Sequence, residues 1–96
     1  MAVIYEVVYE SQVVSVDIPK LPRALKERIR SAIEEKLTTH PDVYGKPLRR
    51  SLKGYRKLRV GDYRVVFRID SSKIKVFAIL HRSVVYAIME RQGGSS

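Results

Sequence analysis

The stretch LKGYRKLRVGDYRVVFRI, residues 52–69, contains two strand-like runs on either side of Gly61-Asp62. Alternating, β-branched and aromatic residues predict strands over 55–60 and 63–69, and the two-residue connection predicts an antiparallel hairpin. The basic residues of this hairpin are Arg56, Lys57, Arg59, Arg64 and Arg68. A sheet with one apolar and one cationic face is therefore expected.

Successive strand residues point to opposite faces, so the alternation assigns each side chain to a face. In the second strand the core face is predicted to hold Tyr63, Val65, Phe67 and Ile69, and the other face Arg64, Val66 and Arg68. In the first strand Leu58 and Val60 go with the core, which leaves Lys57 and Arg59 opposite. A third strand over 74–80, apolar on both faces, is predicted to lie inside the sheet, with Phe77, Ile79 and His81 on one face.

The other segments predict one further strand and two or three helices. VIYEVVY, residues 3–9, predicts a strand, and apolar residues at helical spacing predict an amphipathic helix from Pro22 to Leu37. SQVVSVDIPKLP, residues 11–22, fits a strand or a short helix equally well. THPDVYGKP, residues 39–47, predicts a loop, and residues 82–92 predict a helix that ends at Gly93.

This order of elements predicts an α+β sandwich. A mainly antiparallel, four-stranded sheet carries helices on one face, in a single domain over residues 1–92 with a disordered tail at 93–96. The chain has 96 residues and no cysteine, which excludes disulfides and Cys-ligated zinc. No metal cluster, cofactor, signal peptide or membrane span is expected, and a cytoplasmic protein is the default.

The charge of the chain is concentrated in one segment. The net charge is +9, from 19 Lys and Arg against 10 Asp and Glu. Residues 46–68 hold nine bases against the single acid Asp62, a local balance of 9 − 1 = +8. Clustered cations favour a polyanionic partner through counterion release, whereas a basic surface kept for solubility usually spreads its charge. The bases are Lys46, Arg49, Arg50, Lys53, Arg56, Lys57, Arg59, Arg64 and Arg68.

A set of candidate catalytic residues is predicted to meet near one end of the sheet. Arginines and a lysine can hold a scissile phosphate and stabilise its developing charge, while histidine and tyrosine can move protons. RNA supplies its own nucleophile, the 2′-hydroxyl. In the alternative interpretation, Tyr86 is a packing residue, His81 a hydrogen-bonded rim residue, and Arg59 and Arg68 are edge charges against aggregation. The candidate set is Lys57, Arg64, His81, Arg82 and Tyr86.

LKGYRKLRVGDYRVVFRI, followed a strand later by HRSVVY, resembles the RelE/ParE superfamily of toxins from type II toxin–antitoxin operons. The specific part is the pairing of LRVGDYR with HRxxxY, and the resemblance covers most of the chain. It implies the α+β fold above and favours a short helix over residues 11–21 that forms an N-terminal helical hairpin with the next helix, in the order β-α-α-β-β-β-α. In its RelE branch it implies cleavage of mRNA in the ribosomal A site by the 2′-hydroxyl, which leaves a cyclic phosphate.

The resemblance also implies roles for individual residues. Lys57 resembles a catalytic lysine, Arg64 the phosphate-binding arginine, Arg82 and Tyr86 a further catalytic pair, and His81 the general acid of some branches. Predicted RNA-binding residues are Arg49, Lys53, Arg56 and Arg59. Tyr55 stands where well-known members have a lysine, and residues 43–80 contain no Glu to match the base of other branches.

Three functions remain open from the sequence: a RelE-like endoribonuclease, a ParE-like gyrase poison and a non-catalytic RNA-binding module. The combined Lys, Arg, His-Arg and Tyr set favours the nuclease, and a buried Tyr63 disfavours a stacking module. The partners implied are mRNA, the ribosome and an acidic, RelB-like antitoxin that covers the cationic face or displaces the last helix. Without the antitoxin, a homodimer could form through an apolar patch that includes Val66.

Overall fold

A computed structural model of the chain describes residues 4–48 and 54–85. Its sheet is built from β1 (Glu6–Tyr9), β2 (Lys46–Pro47), β3 (Arg56–Val60), β4 (Tyr63–Asp70) and β5 (Lys73–His81). Its helical elements are a π-helical turn (Val13–Asp17), α1 (Arg23–Ala32) with a π-helical extension (Ile33–Leu37), and α2 (Pro41–Tyr44). Residues 82–85 are helical as well, and the remainder of the predicted last helix lies outside the described residues.

The five strands lie in the order β1-β5-β4-β3-β2. The strands β2 to β5 pair antiparallel, and β1 pairs in parallel with β5. The α+β fold, the β3–β4–β5 meander and the interior position of β5 are therefore confirmed. The predicted strand count of four was wrong, because residues 46–47, assigned to a loop, pair with β3 as a short edge strand. Its Pro47 suits an edge, where one backbone N–H is not needed.

The helices cover one face of the sheet and enclose the core. The buried cluster joins Ile29, Ile33 and Leu37 of the long helix to Val65 and Phe67 of β4. The predicted helix from Pro22 to Leu37 is confirmed, with Pro22 at its N-cap. The undecided segment forms a helix: Val13 is fully buried, and the Asp17 carboxylate accepts a hydrogen bond of 3.0 Å from the Ile79 backbone N–H. We call the other side of the sheet the open face.

The core face of β4 follows the predicted alternation, whereas β5 departs from it. Val65 and Phe67 are fully buried, and their partners across β5 are Ile79 and Val76. These two partners are three residues apart rather than two, so β5 contains a β-bulge with Phe77 as its extra residue. The expectation that Phe77 and Ile79 share a face was therefore wrong. Phe77 joins Ala78 opposite Val66, on the open face.

Gly45 marks a point where the loop before β2 contacts the core. Its backbone is extended, with φ −92° and ψ 124°, so an alanine would fit the backbone. A Cβ at this position would lie 2.8 Å from both Phe67 Cε1 and the Pro41 carbonyl oxygen. The Gly45 carbonyl also accepts a hydrogen bond of 2.9 Å from Arg56 Nη1. The loop is therefore locked between the Phe67 ring and the Arg56 side chain.

We expect Gly45→Ala to lower the free energy of unfolding by about 1–3 kcal/mol, because the new methyl group overpacks the contact with Phe67. Urea unfolding of the purified protein measures this loss. Phe67→Leu shortens the ring and should make Gly45→Ala less costly in the double variant than in the wild type. Equal costs in both backgrounds would show that the Phe67 ring is not the obstacle.

Candidate nucleic-acid interface

A hollow of about 240 Å³ opens on the sheet between β2, β3 and the start of β4. Four of its five lining residues are cationic and none is acidic. We call this site the cationic hollow. Its lining residues are Tyr44, Lys46, Lys57, Arg59 and Arg64.

Strand register places like charges directly opposite each other in this hollow. Lys46 of β2 pairs with Lys57 of β3, and Arg59 of β3 pairs with Arg64 of β4. Directly opposed residues in an antiparallel pair have Cβ atoms about 4.5–5.5 Å apart, and like charges at this distance destabilise the sheet. Both pairs oppose the folding of the free protein, and an anion bound between them would relieve the repulsion. The hollow is therefore suited to a phosphate group.

Arg64 is the most buried cation of the hollow. Only 7% of the residue is exposed. Its Nη1 donates to the carbonyl oxygens of Gly61 at 3.1 Å and Tyr63 at 2.9 Å, both in or beside the β3–β4 turn. A guanidinium carries five N–H donors in a rigid fork, so two carbonyl partners orient the group and leave donors for a ligand. Such a preorganised donor stabilises charge on a phosphate without further reorganisation.

Among the described residues, an ion pair on the open face is found at the far end of the sheet from the hollow. There the Lys75 ammonium lies 3.3 Å from the Asp70 carboxylate, and Glu6 pairs with Lys73 across β1 and β5. At the end that holds the hollow, no acidic side chain of the described residues lines the site. The net attraction for a polyanion is consequently concentrated at the hollow.

The described members of the predicted catalytic set lie at one end of the sheet but not on one face. Lys57 and Arg64 line the cationic hollow. Arg82 is exposed just beyond β5, where its backbone N–H donates to the Asp62 carbonyl at 2.8 Å and ties the last helical turn to the β3–β4 turn. Tyr86 lies outside the described residues. The expected convergence is therefore found for Lys57 and Arg64, with Arg82 at the same end.

His81 lies on the helix-covered side of the sheet. It pairs with Tyr63, and their rings meet edge to face with centroids 5.4 Å apart. Its Nδ1 lies 2.9 Å from the Ser83 hydroxyl oxygen. A separate hollow holds His81 together with Asp17 and Lys20. The structure thus places His81 away from Lys57 and Arg64, and its role as a general acid stays a prediction.

The predicted RNA-binding residues also separate. Arg59 is exposed on the open face and lines the hollow. Arg56 lies on the same side of β3 as the buried Leu58, and its Nη1 donates a hydrogen bond to the Gly45 carbonyl. Arg49 and Lys53 fall outside the described residues. Of the described pair, Arg59 is placed to meet a ligand and Arg56 is placed to hold the loop.

Two residues of the hollow, Tyr44 and Lys46, were not among the predicted site residues, although Lys46 was counted in the cationic segment 46–68. Both lie in the segment assigned to a loop, where the structure has α2 and β2. The signal for α2 was present, because Pro41 opens the helix and Asp42 follows in its first turn. Lys46 carried no comparable signal, since its place depends on pairing with Lys57.

Among the tyrosines that the structure describes, the one with a perturbed pKa lies away from the cationic hollow. Burial, assisted by the Glu34 carboxylate, raises the pKa of Tyr9 above its ordinary value. Tyr9 borders an apolar groove of about 430 Å³ between the helices and β5.

Within residues 4–48 and 54–85, no three His, Cys, Asp or Glu residues form a metal-type cluster, and no helix is long and apolar enough to span a bilayer.

Comparison with known proteins assigns the family. Residues 17–86 match the family model described as ParE toxin of type II toxin–antitoxin system, parDE. The chain is 35% identical over 72 residues to Toxin RelE of Mycobacterium tuberculosis, which covers 73% of this chain and 74% of the relative. It is 37% identical over 76 residues to Toxin RelG of the same organism, and this match covers 73% of this chain and 83% of that relative. The chain belongs to the RelE/ParE superfamily of toxins from type II toxin–antitoxin systems.

Solved structures agree with this assignment. The toxin–antitoxin complex RelBE2 of Mycobacterium tuberculosis matches with a TM-score of 0.78 and 31% identity, over 84% of this chain and 94% of that one. A RelB–RelE complex of Methanococcus jannaschii matches with a TM-score of 0.65 and 24% identity, over 82% and 94%, and supports the fold alone. The chain is therefore a RelE-like toxin in both sequence and fold.

We expect affinity for a short single-stranded RNA to fall with salt, with a slope of about −0.7 in log K against log[salt] for each phosphate neutralised. Arg59→Ala should reduce the magnitude of this slope by about 0.7, because it removes one cation from the hollow. Fluorescence anisotropy at several salt concentrations measures both slopes. Arg23→Ala, an exposed arginine of α1, is the matched control and should leave the slope unchanged. Equal changes in both variants would mean that the open face has no special part in binding.

Proposed function

We propose that this toxin is an endoribonuclease that cuts mRNA at the ribosomal A site. The observation that carries the proposal is the cationic hollow, in which two pairs of like charges face each other around the buried Arg64. This arrangement costs stability in the free protein and is useful only with an anion between the charges. The relatives named RelE and RelG support the RelE branch of the superfamily.

In the proposed reaction the 2′-hydroxyl of the RNA attacks the adjacent phosphorus. The P–O5′ bond breaks, so the products are a 2′,3′-cyclic phosphate and a 5′-hydroxyl, and a proton moves from the 2′-oxygen to the leaving 5′-oxygen. The nucleophile belongs to the substrate, which is why the proposed mechanism needs no metal. The protein has to bind the phosphate, stabilise its charge and assist the two proton transfers.

Arg64 and Lys57 perform the electrostatic part of this reaction. The Arg64 guanidinium, oriented by the Gly61 and Tyr63 carbonyls, directs its remaining N–H groups to the nonbridging oxygens. Lys57, across from Lys46, adds a second positive charge to the same phosphate. Arg82 and Tyr86 are proposed as a further catalytic pair, as their resemblance to the HRxxxY motif implies. A toxin that acts on ribosomes works in the cytoplasm.

Primer extension on an mRNA translated by purified ribosomes tests the reaction. Wild-type protein should produce discrete cuts within A-site codons, and Arg64→Ala should lower the cleavage rate by at least about 100-fold, because it removes the preorganised donor. Arg23→Ala is the control for loss of an arginine elsewhere on the surface and should cut normally. EDTA added to a ribosome-free assay should leave any cleavage unchanged.

Two outcomes would contradict the proposal. Intact mRNA with every protein would remove the nuclease function, and trapping of cleaved supercoiled DNA by gyrase would then be the next assay. Cleavage lost in EDTA and restored by a divalent ion would contradict the metal-free mechanism. His81→Ala belongs in the same series: because His81 lies on the other face, we expect a smaller loss than for Arg64→Ala.

We also propose an acidic, RelB-like antitoxin as the partner of this chain. The related structures of RelBE2 and of the Methanococcus jannaschii protein are toxin–antitoxin complexes. An acidic segment over the cationic hollow would neutralise the opposed charges and block the site at once. A homodimer through the open face, around the half-buried Val66, is the proposed state when the antitoxin is absent.

Charge reversal should identify the antitoxin-binding face. Arg59→Glu is expected to weaken binding of the proposed RelB-like antitoxin by about tenfold or more, because it places an acid in the hollow. Arg23→Glu makes the same change in net charge on α1 and should have little effect. Isothermal titration calorimetry at fixed salt measures both affinities. Equal weakening by the two variants would place the antitoxin away from the hollow.

A further inference from the structure

An aromatic pair lies on the open face beside the cationic hollow. The rings of Tyr55 and Phe77 meet edge to face, with centroids 5.1 Å apart and planes at 78°. Tyr55 directly precedes β3 and Phe77 lies in β5, so the pair meets across the intervening β4. Both residues are partly exposed.

The β-bulge in β5 puts Phe77 on this face. In a regular strand, Phe77 would share a face with Ile79, which is buried in the core. The extra residue between Val76 and Ala78 instead places Phe77 opposite Val66, on the open face. The bulge therefore removes a large aromatic ring from the core face and presents it to the side that holds the hollow.

Two cations lie on the open face along the strands that flank the pair. Lys57 follows Tyr55 by two residues on the same side of the chain, a spacing of about 7 Å along a strand. Arg68, exposed on the open face of β4, lies at the other side of the pair. An apolar ring surface between two cations is typical of sites that bind single-stranded nucleic acid, where bases stack and phosphates pair with the charges.

We propose that Tyr55 and Phe77 form a stacking platform for the base next to the scissile phosphate. In an edge-to-face pair, the ring that presents its edge keeps its own faces available to a third aromatic group. A base stacked there would place its phosphate towards Lys57 and Arg64. Stacking accepts any base, so the platform sets the position of the nucleotide and not its identity. This inference rests on the proposed nuclease function and adds two positioning residues to it.

RNA fits these observations better than a partner helix. A helix that docks on a sheet needs a continuous apolar stripe. The most exposed aliphatic side chains among the described residues, such as Ile4, Val14 and Val43, are not part of the aromatic pair or its cationic border. On the open face the two rings instead lie on the same side as Lys57, Arg59 and Arg68. Contacting rings with cations along the same strands suit a stacked base and its neighbouring phosphates.

The test measures binding to ribosomes programmed with an mRNA whose A-site nucleotide carries a 2′-O-methyl group and cannot be cut. A series of such mRNAs lacks one base each, at successive positions around the blocked bond. Wild-type protein should lose about tenfold in affinity when the base that stacks on the platform, next to the scissile phosphate, is missing. Tyr55→Leu should bind the intact mRNA with an affinity about tenfold below that of the wild type. Its affinity should fall no further with the abasic mRNA that weakens the wild type.

The double-mutant comparison separates stacking from a structural effect. Tyr55→Phe keeps the ring and should bind as the wild type does, and Phe77→Leu should reproduce the loss of Tyr55→Leu. Arg59→Ala is the control, and its loss should add to that of the missing base. In cleavage assays Tyr55→Leu should raise KM about tenfold with less change in kcat. Thermal unfolding checks that each variant is folded.

The outcomes distinguish a failure of the stacking platform from a failure of the proposed nuclease function. If Tyr55→Leu and the missing base give additive losses at every position, the platform is contradicted while the nuclease function stands. If Tyr55→Leu binds and cuts like the wild type but loses the antitoxin, the pair belongs to the antitoxin surface and the inference is wrong. If the wild type neither binds programmed ribosomes nor cuts mRNA, the proposed function fails and the inference fails with it.

Discussion

The burial of Val65 and Phe67 under the helices determines the rest of the molecule. Both side chains are fully buried on one side of β4, so the residues between and beside them must point to the other side. This places Arg64 on the open face, and register with β3 then places Arg59 directly against it. The cationic hollow is thus a consequence of core packing: the apolar side of the strand cannot be buried without presenting the arginines on the opposite side.

The free energy of this arrangement favours a ligand. Burying Arg64 requires hydrogen bonds, which the carbonyls of Gly61 and Tyr63 supply. Opposed like charges in two neighbouring strand pairs lower the stability of the free toxin. Membership of a toxin–antitoxin family offers a reason for this loss of stability, because either a phosphate or an acidic antitoxin would relieve the repulsion. Both proposed partners compete for the same electrostatic site.

Sequence patterns predicted the fold where a pattern is local. Alternation gave the face of Val65 and Arg64 correctly, and helical spacing gave the helix that contains Ile29 and Ile33. Features that depend on long-range pairing were not predictable in this way. Lys46 joins the hollow only because its two-residue strand pairs with β3, and Phe77 changes face only because β5 contains an extra residue. His81 was correctly placed at the strand end but lies on the face away from the hollow.

The proposed function requires RNA to bind the open face at the cationic hollow. Photocrosslinking with an mRNA that carries 4-thiouridine in the A site, followed by mass spectrometry of the attached peptide, tests it most directly. Binding at the hollow should give crosslinks to β3 and β4, within Arg56–Val60 and Tyr63–Asp70. Crosslinks confined to α1, within Arg23–Ala32 on the opposite side of the sheet, would contradict it.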